Sequence, residues 1–312
     1  MKASATGKLW IILIVLVIVI AGVYLYPVQG AAFEKNYARA DPGLTASLQG
    51  FRAEHPAKPL KVNGIAWEYS AFGKGQETIL FLHGMTGTYD IWWQPMQDLQ
   101  DRYRVISLTY PAVDSLEKLS EGVLAVMDKE GVARAHIVGS SLGGYLAQYL
   151  VANYPGRVLR AVFSNTFPPN DIIAQKNKAI GTALPYLPEW LVMNVLRDSI
   201  VKGVYPASGN NEMTLAFLTE VCSGRMSKGQ VVGRYRCVVQ PFAAPDVIKL
   251  KIPVMIVEAD NDPLVEKALR EQLKSAYPSA QVRTLSSGHF PYLNRSTGFT
   301  DIITAFIGQP SL

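Results

Sequence analysis

The chain has 312 residues, of which 49% are hydrophobic, and a formal net charge of +5. This length suits one α/β core of about 200 residues with an insertion, and no second catalytic domain is needed. The charge is too small to indicate nucleic acid as a partner; attraction to anionic lipid headgroups is the simpler use of it.

The first segment, residues 1–30, is predicted to be a membrane anchor. Leu9 to Tyr26 is a stretch of eighteen uncharged residues, and a helix of that length rises about 27 Å, close to the hydrocarbon thickness of a bilayer. A retained anchor is favoured over a cleaved signal because the stretch exceeds the usual signal core. Lys2 and Lys8 precede it, which predicts a cytosolic N-terminus and places the rest of the chain on the non-cytosolic side, periplasmic or extracytoplasmic.

Residues 31–60 are predicted to be a juxtamembrane helical segment. Asp41 and Pro42 are typical of the N-cap and first position of a helix, which would run to about Glu54. The core is then expected in two parts, residues 61–168 and 247–312.

Apolar runs alternate with helical stretches through this core. Strands are predicted at residues 78–82, 105–108, 135–138, 158–163, 252–257 and 281–285, and a helix at about 265–277. This alternation predicts an α/β fold with a mainly parallel sheet and helices on both faces.

Residues 169–246 are an insertion of helical pattern, which we call the lid. The lid is strongly apolar between Ile180 and Leu196 and is interrupted by prolines. Its apolar residues either line a pocket for an acyl or alcohol group or only pack the lid on the core. Cys222 and Cys237 lie in the lid, and two free, partly buried thiols are favoured over a disulfide.

A G-x-S-x-G pattern at residues 139–143 lies between a predicted strand and a predicted helix. A hydrolase must hold its serine free of neighbours, next to a base and near backbone N–H donors, and a strained strand-to-helix turn does this. Ser141 is therefore the predicted nucleophile. Ser140 is the alternative, but only Ser141 has a glycine two positions away on each side.

The loop after the strand at 78–82 begins with His83-Gly84 and continues to Gly87. Loops at this place supply a second donor to the oxyanion hole, so the backbone N–H groups of Met85 and Leu142 are predicted to hold the oxyanion. Losing one such donor typically costs about 3 kcal/mol. His83 itself is predicted to be structural because it precedes the nucleophile.

The acid and the base are expected after the later strands. His289 follows the last strand and is the predicted base, while Asp260 and Asp262 compete for the role of the acid. Asp262 is favoured because it lies three residues before the start of the next helix, and Asp260 then belongs to a turn. His55 and His136 are expected to be ordinary packed or solvated residues.

The chain resembles maspardin-type members of the α/β-hydrolase superfamily over about residues 41–307. The resemblance lies in residues 139–148, 252–254 and 277–280 and in the more specific Phe-Pro-Tyr-Leu run at 290–293. It implies an α/β-hydrolase fold with a helical lid. It also implies a binding role without hydrolysis, because animal maspardins are regarded as non-catalytic and lack histidine before Phe-Pro-Tyr-Leu. This chain departs from that pattern through His289 and its N-terminal span.

The sequence therefore predicts a membrane-anchored serine hydrolase of the esterase or lipase type. Ser141 would attack a carboxylic ester of an acyl or lipid-like substrate, His289 would carry the proton, and Asp262 would orient the imidazole. No cofactor or metal is implied. The alternative is a non-catalytic, maspardin-like docking protein that retains the triad as a relic.

Overall fold

The computed structural model describes residues 5–309, and its centre is an eight-stranded sheet. The strands are β1 Lys58–Val62, β2 Ile65–Phe72, β3 Thr78–Leu82, β4 Arg104–Thr109, β5 Ala135–Ser140, β6 Val158–Ser164, β7 Val254–Ala259 and β8 Gln281–Leu285. Their order is β1-β2-β4-β3-β5-β6-β7-β8. Strand β2 pairs antiparallel with β1 and β4, and every other neighbouring pair is parallel. The predicted mainly parallel sheet is confirmed.

Helices precede, connect and follow these strands. Before and within the first part of the core they are α1 Ala5–Leu25, α2 Phe33–Asn36, α3 Pro42–Glu54, α4 Trp93–Leu99, α5 Leu116–Lys129 and α6 Leu142–Asn153. Between β6 and β7 they are α7 Ile172–Lys176, α8 Lys178–Ala183, α9 Glu189–Ser199, α10 Tyr205–Ala207, α11 Glu212–Glu220 and α12 Lys228–Val239. After β7 they are α13 Lys267–Ala276, α14 Pro291–Asn294 and α15 Ser296–Ile307.

Short 3-10 and π-helical turns complete the helical structure. They are 3-10 turns at Tyr89–Trp92, Pro155–Arg157 and Leu184–Tyr186, and π turns at Ile200–Val204 and Val221–Arg225. The lid thus consists of short helices, as its sequence pattern indicates. Its two cysteines, Cys222 and Cys237, are buried and free.

The central strands are buried on both faces, which explains their uninterrupted apolar sequence. In β3, Ile79 and Phe81 belong to one apolar cluster, and Leu80 and Leu82 belong to another. Successive side chains of a strand point to opposite faces, so these two clusters are the two cores on either side of the sheet.

Two boundaries differ from the sequence prediction. Strand β7 begins at Val254 rather than at residue 252. Pro253 has no N–H group and contributes only its carbonyl, which accepts a hydrogen bond from the Ala161 N–H. The sheet begins at Lys58, before the predicted start of the core at 61, because β1 is a largely exposed edge strand without an apolar run. Asn63 and Gly64, both at positive φ, form the tight turn between β1 and β2. An Asn-Gly pair is typical of such a turn, so it was the sequence feature that could have indicated this hairpin.

The segment before the sheet contains a capped helix and the apolar N-terminal helix. Helix α3 begins at Pro42, and Asp41 caps it by accepting a hydrogen bond of 2.9 Å from the Leu44 N–H. Helix α1 includes Lys8–Leu25, an 18-residue stretch with mean hydropathy 2.8 and none of it buried. By length and composition this helix can cross a membrane. Lys2, one of the two lysines used to predict orientation, lies outside the described residues.

A buried ion cluster joins α3, the loop after β3 and the lid. Asp90 is completely buried and lies 2.7 Å from Arg52 and 2.9 Å from Arg225, while Arg52 also pairs with Glu220 at 2.7 Å. Burial acts to raise the pKa of Asp90, but Arg225, Arg52 and a hydrogen bond from Thr88 outweigh it and hold the pKa below its usual value. The ionised carboxylate therefore stabilises this junction.

Replacing Asp90 with asparagine is expected to lower the free energy of unfolding at neutral pH by about 3 kcal/mol, since the largely buried Arg52 and Arg225 then share only the Glu220 carboxylate. Because the folded-state pKa of Asp90 is lowered, its contribution is present above the unfolded pKa and is lost as the pH falls through the folded value. The difference between wild type and variant should therefore narrow in acid. Denaturant unfolding of the full chain in detergent, repeated between neutral and acid pH, measures this.

The matched control is Asp101→Asn, which removes an ion pair with Lys74 whose two side chains are both about four-fifths exposed. A much smaller effect is expected there because solvent screens the pair. Equal losses for the two variants would contradict the stabilising role of the Asp90 cluster.

Candidate active site

Ser141 lies in the sharp turn between β5 and α6. Its backbone has φ 53° and ψ −121°, an uncommon conformation for a residue with a side chain. The turn accepts only glycine at two positions, because a Cβ on Gly139 would overlap the Gly143 carbonyl and a Cβ on Gly143 would overlap the Leu82 carbonyl. The predicted strand, strained turn and helix are all present.

The loop after β3 lies against this turn. A Cβ on Gly84 would be 3.0 Å from the Ser141 Cβ and 3.6 Å from its Oγ. The two residues predicted to donate to the oxyanion directly follow the two residues of this contact. Met85 follows Gly84 in the loop, and Leu142 follows Ser141 at the N-terminus of α6. Within residues 5–309 neither of their backbone N–H groups donates a hydrogen bond, so both are free to bind an anion.

His289 and Asp262 form a buried pair. Nδ1 of His289 lies 2.8 Å from Oδ2 and 3.0 Å from Oδ1 of Asp262, and the histidine is only 2% exposed. A carboxylate can only accept, so Nδ1 carries a proton, and in the neutral ring Nε2 is the acceptor. This is the tautomer that a general base requires.

The environment of Asp262 keeps it ionised. Burial acts to raise its pKa, but His289, the Leu264 N–H and the Asn165 amide outweigh burial, and the pKa lies below its usual value. Asn165 donates to Oδ2 at 2.9 Å, and Leu264 donates to Oδ1 at 2.8 Å. Asp260, the competing carboxylate, is exposed and accepts a hydrogen bond from Ser286 instead.

Ser141 is not hydrogen-bonded to this pair. Among the described residues its hydroxyl makes no hydrogen bond, to His289 or to any other group. Its carbonyl is held by Thr166 at 2.7 Å and its N–H donates to Ser164 at 3.0 Å, so the backbone is secured while the side chain is free. Hydrogen bonds between nucleophile and base are often long in an enzyme without substrate.

His83 has hydrogen-bond partners on both ring nitrogens at the start of the loop after β3. Its Nδ1 donates to the Gly84 carbonyl at 2.7 Å, and its Nε2 accepts from the Tyr110 N–H at 3.3 Å. Burial and the nearby charge of Arg234 hold its pKa well below the usual value, so the ring is neutral. His136 is buried near Glu77, and His55 stacks on Phe72; neither is near the proposed site.

Comparison with known proteins decides the family. Residues 79–302 match the Alpha/beta hydrolase family. The chain belongs to this family.

The similarity to maspardin is also confirmed for this alpha/beta hydrolase. Maspardin from Danio rerio is 28% identical over 256 residues, which is 79% of this chain and 80% of maspardin. Among solved structures, the enol-lactonase from Burkholderia xenovorans LB400 has a TM-score of 0.71 at 19% identity and covers 81% of this chain and 100% of its own. A bacterial membrane phospholipase A has a TM-score of 0.65 at 19% identity, with coverage of 96% and 98%. At this identity the two structures show a common fold.

Two residues of this alpha/beta hydrolase site were not predicted from its sequence. Asn165, at the end of β6, has φ 43° and donates both to Asp262 and to the Gly288 carbonyl, 3.1 Å away. Its place directly after a predicted central strand was the only available signal. Arg234, on α12 of the lid, had no signal, because nothing in the sequence separates it from the other basic residues of the lid.

Arg234 connects the lid to the loop after β3. It is completely buried and donates to the carbonyls of Met85 at 2.6 Å, Gly87 at 3.1 Å and Tyr110 at 3.0 Å. Burial lowers the pKa of Arg234 to about 10, so the guanidinium remains charged at neutral pH. The Met85 carbonyl is thus held in place next to the N–H proposed to bind the oxyanion.

Replacing Arg234 with methionine is expected to lower kcat for an ester substrate by about 10²-fold, because displacing a group of the site by about 1 Å has an effect of this size. Arg236→Met on the same helix is the control, since Arg236 is half-exposed and pairs with Asp114 at the surface. Steady-state hydrolysis of a soluble ester by both variants tests this. Equal activity of the two variants would show that Arg234 does not position the loop.

Proposed function

We propose that this chain is a membrane-anchored serine hydrolase that cleaves a carboxylic ester. The observation that carries the proposal is the buried pair of His289 and Asp262, with Nδ1 protonated towards the carboxylate, in a chain whose Ser141 occupies the strained turn. One of the similar solved structures and one sequence relative are named enol-lactonases. A lactone is a cyclic ester, so these names agree with ester chemistry.

The chemical steps follow from these positions. Ser141 Oγ attacks the ester carbonyl as its proton passes to His289 Nε2, and Asp262 stabilises the imidazolium that forms. The N–H groups of Met85 and Leu142 stabilise the negative oxygen of the tetrahedral intermediate. The alcohol leaves with the proton from His289, and water then hydrolyses the acyl-serine by the same route.

The membrane part of the proposal rests on α1. None of its apolar stretch is buried in the described part of the chain, as expected for a helix that is solvated by lipid. Because Lys8 precedes the span, we propose that the catalytic domain lies on the non-cytosolic side, and that its substrate is a small-molecule or lipid ester.

The competing function is a docking protein of the maspardin type. The maspardin similarity supports it, but a buried, hydrogen-bonded acid–base pair is hard to explain in a protein that only binds. The test is to measure turnover of p-nitrophenyl esters of increasing acyl length by the full chain in detergent. Hydrolysis with a clear optimum of acyl length supports the enzyme. No turnover with any ester would favour the docking function.

A further inference from the structure

The end of helix α1 is attached to the lid rather than to the core. The indole N–H of Trp190 on α9 donates to the Val23 carbonyl at 2.8 Å, and the Tyr24 hydroxyl donates to the Tyr186 carbonyl at 2.7 Å. The ring of Tyr26 packs edge-on against Trp190 with centroids 5.9 Å apart. The place where the proposed span ends is therefore also a surface of the lid.

The residues at this junction have the chemistry of a membrane–water interface. Tyr and Trp concentrate at the headgroup level because one end of the ring is apolar and the other end is polar. Here Tyr24, Tyr26 and Trp190 gather at the end of an apolar helix, and Tyr186 beside them is 74% exposed. If α1 spans the bilayer, this part of the lid lies at the headgroup level.

The lid also carries most of the large apolar side chains that the described chain exposes beyond residue 26. Four lie within residues 180–201 and three lie elsewhere: Ile180, Tyr186, Val195 and Val201 in the lid, and Ile248, Leu264 and Val282 outside it. Single exposed apolar residues are ordinary, whereas a group within one segment that contacts the proposed span indicates an interaction surface.

The buried side of the same lid segment faces the interior. Leu184, Val192 and Met193 are buried in one apolar cluster with Phe290, the residue after His289. Lid segment 180–201 therefore exposes apolar side chains beside the span and packs its buried side chains against the core that carries the base.

We infer that the exposed surface of lid segment 180–201 rests on the lipid bilayer next to α1, and that the ester substrate enters the site from the membrane. The occupant of the surface is lipid because the surface is continuous with the proposed span through Trp190 and Tyr186. This inference rests on the proposed function, which supplies the membrane anchor and the ester chemistry. It adds the class of substrate, which is an ester with an acyl chain long enough to stay in the bilayer.

The position of the lid is tested with full-length protein in phosphatidylcholine vesicles that contain nitroxide-labelled phosphatidylcholine. Tyr186→Cys and Ile248→Cys are labelled separately with an environment-sensitive fluorophore; Ile248 is 63% exposed, and native Cys222 and Cys237 are fully buried. Loss of fluorescence at position 186 with none at 248 supports the inference. Equal quenching at both positions, or none at either, overturns it.

Substrate entry is tested with Tyr186→Asp and its matched control Ile248→Asp. For each variant we compare hydrolysis of p-nitrophenyl palmitate in vesicles with hydrolysis of water-soluble p-nitrophenyl butyrate. The palmitate-to-butyrate ratio is expected to fall about fivefold for Tyr186→Asp, because a carboxylate resists contact with lipid, and to stay unchanged for Ile248→Asp. An unchanged ratio in Tyr186→Asp overturns entry from the membrane.

Failure of the proposed function is distinguishable in the same experiment. Wild-type protein that hydrolyses neither butyrate nor palmitate contradicts the ester chemistry, whatever the quenching shows. Wild-type protein that does not float with the vesicles contradicts the anchor and, with it, the lid inference.

Discussion

Replacing Ser141 with alanine is expected to abolish labelling by a fluorophosphonate and to lower kcat for ester hydrolysis by about 10⁶-fold, the size of effect seen when a serine hydrolase loses its nucleophile. The reason is that Ser141 lies in the strained turn and, among the described residues, its hydroxyl makes no hydrogen bond that would hold it away from a substrate. In-gel labelling and steady-state rates of the purified full chain measure both effects.

The control for this prediction is Ser140→Ala. Ser140 is the last residue of β5 and is completely buried, so its hydroxyl cannot meet a substrate. Ser140→Ala should retain labelling, with at most a modest change in rate. Persistent labelling of the Ser141 variant would show that another residue is the nucleophile.

Replacing Asp262 with asparagine is expected to lower kcat by about 10⁴-fold, as the same change does in serine proteases. Asparagine can turn its NH₂ group towards His289, which favours the tautomer that has its proton on Nε2 and cannot accept one from Ser141. Asparagine has nearly the same size and shape as aspartate and can keep the 2.8 Å contact with His289, so the loss should appear mainly in kcat rather than in folding. Rates and thermal unfolding of the same preparation separate the two.

Asp260→Asn is the matched control. Asp260 is the neighbouring carboxylate in the same turn, and it contacts Ser286 rather than His289. This substitution should cost far less activity. Losses of equal size, or a larger loss for Asp260→Asn, would show that Asp262 is not the acid that orients His289.

The nucleophile turn could be predicted from sequence because steric rules leave few residues that fit it. Gly139 and Gly143 are required by direct backbone contacts, so their spacing around Ser141 indicates the fold locally. The buried strands were predictable for a similar reason, since a sheet covered on both faces needs uninterrupted apolar runs. The cap of α3 by Asp41 also depends only on residues close in sequence.

The features that sequence could not supply depend on contacts between distant parts of the chain. Arg234 reaches the Met85 carbonyl across 149 positions, and Asn165 reaches Asp262 across 97. Main-chain carbonyls of any residue type can accept such hydrogen bonds, so no pattern in the sequence marks the partner. The edge strand β1 was missed because an exposed strand does not need apolar residues.

The central claim is that Ser141 is an activated nucleophile in this chain. The most direct measurement is mass spectrometry of the wild-type protein after reaction with a fluorophosphonate, with the modified peptide sequenced to the residue. The account predicts one phosphonyl adduct, located on Ser141. An unmodified protein, or an adduct on any other residue, would contradict it.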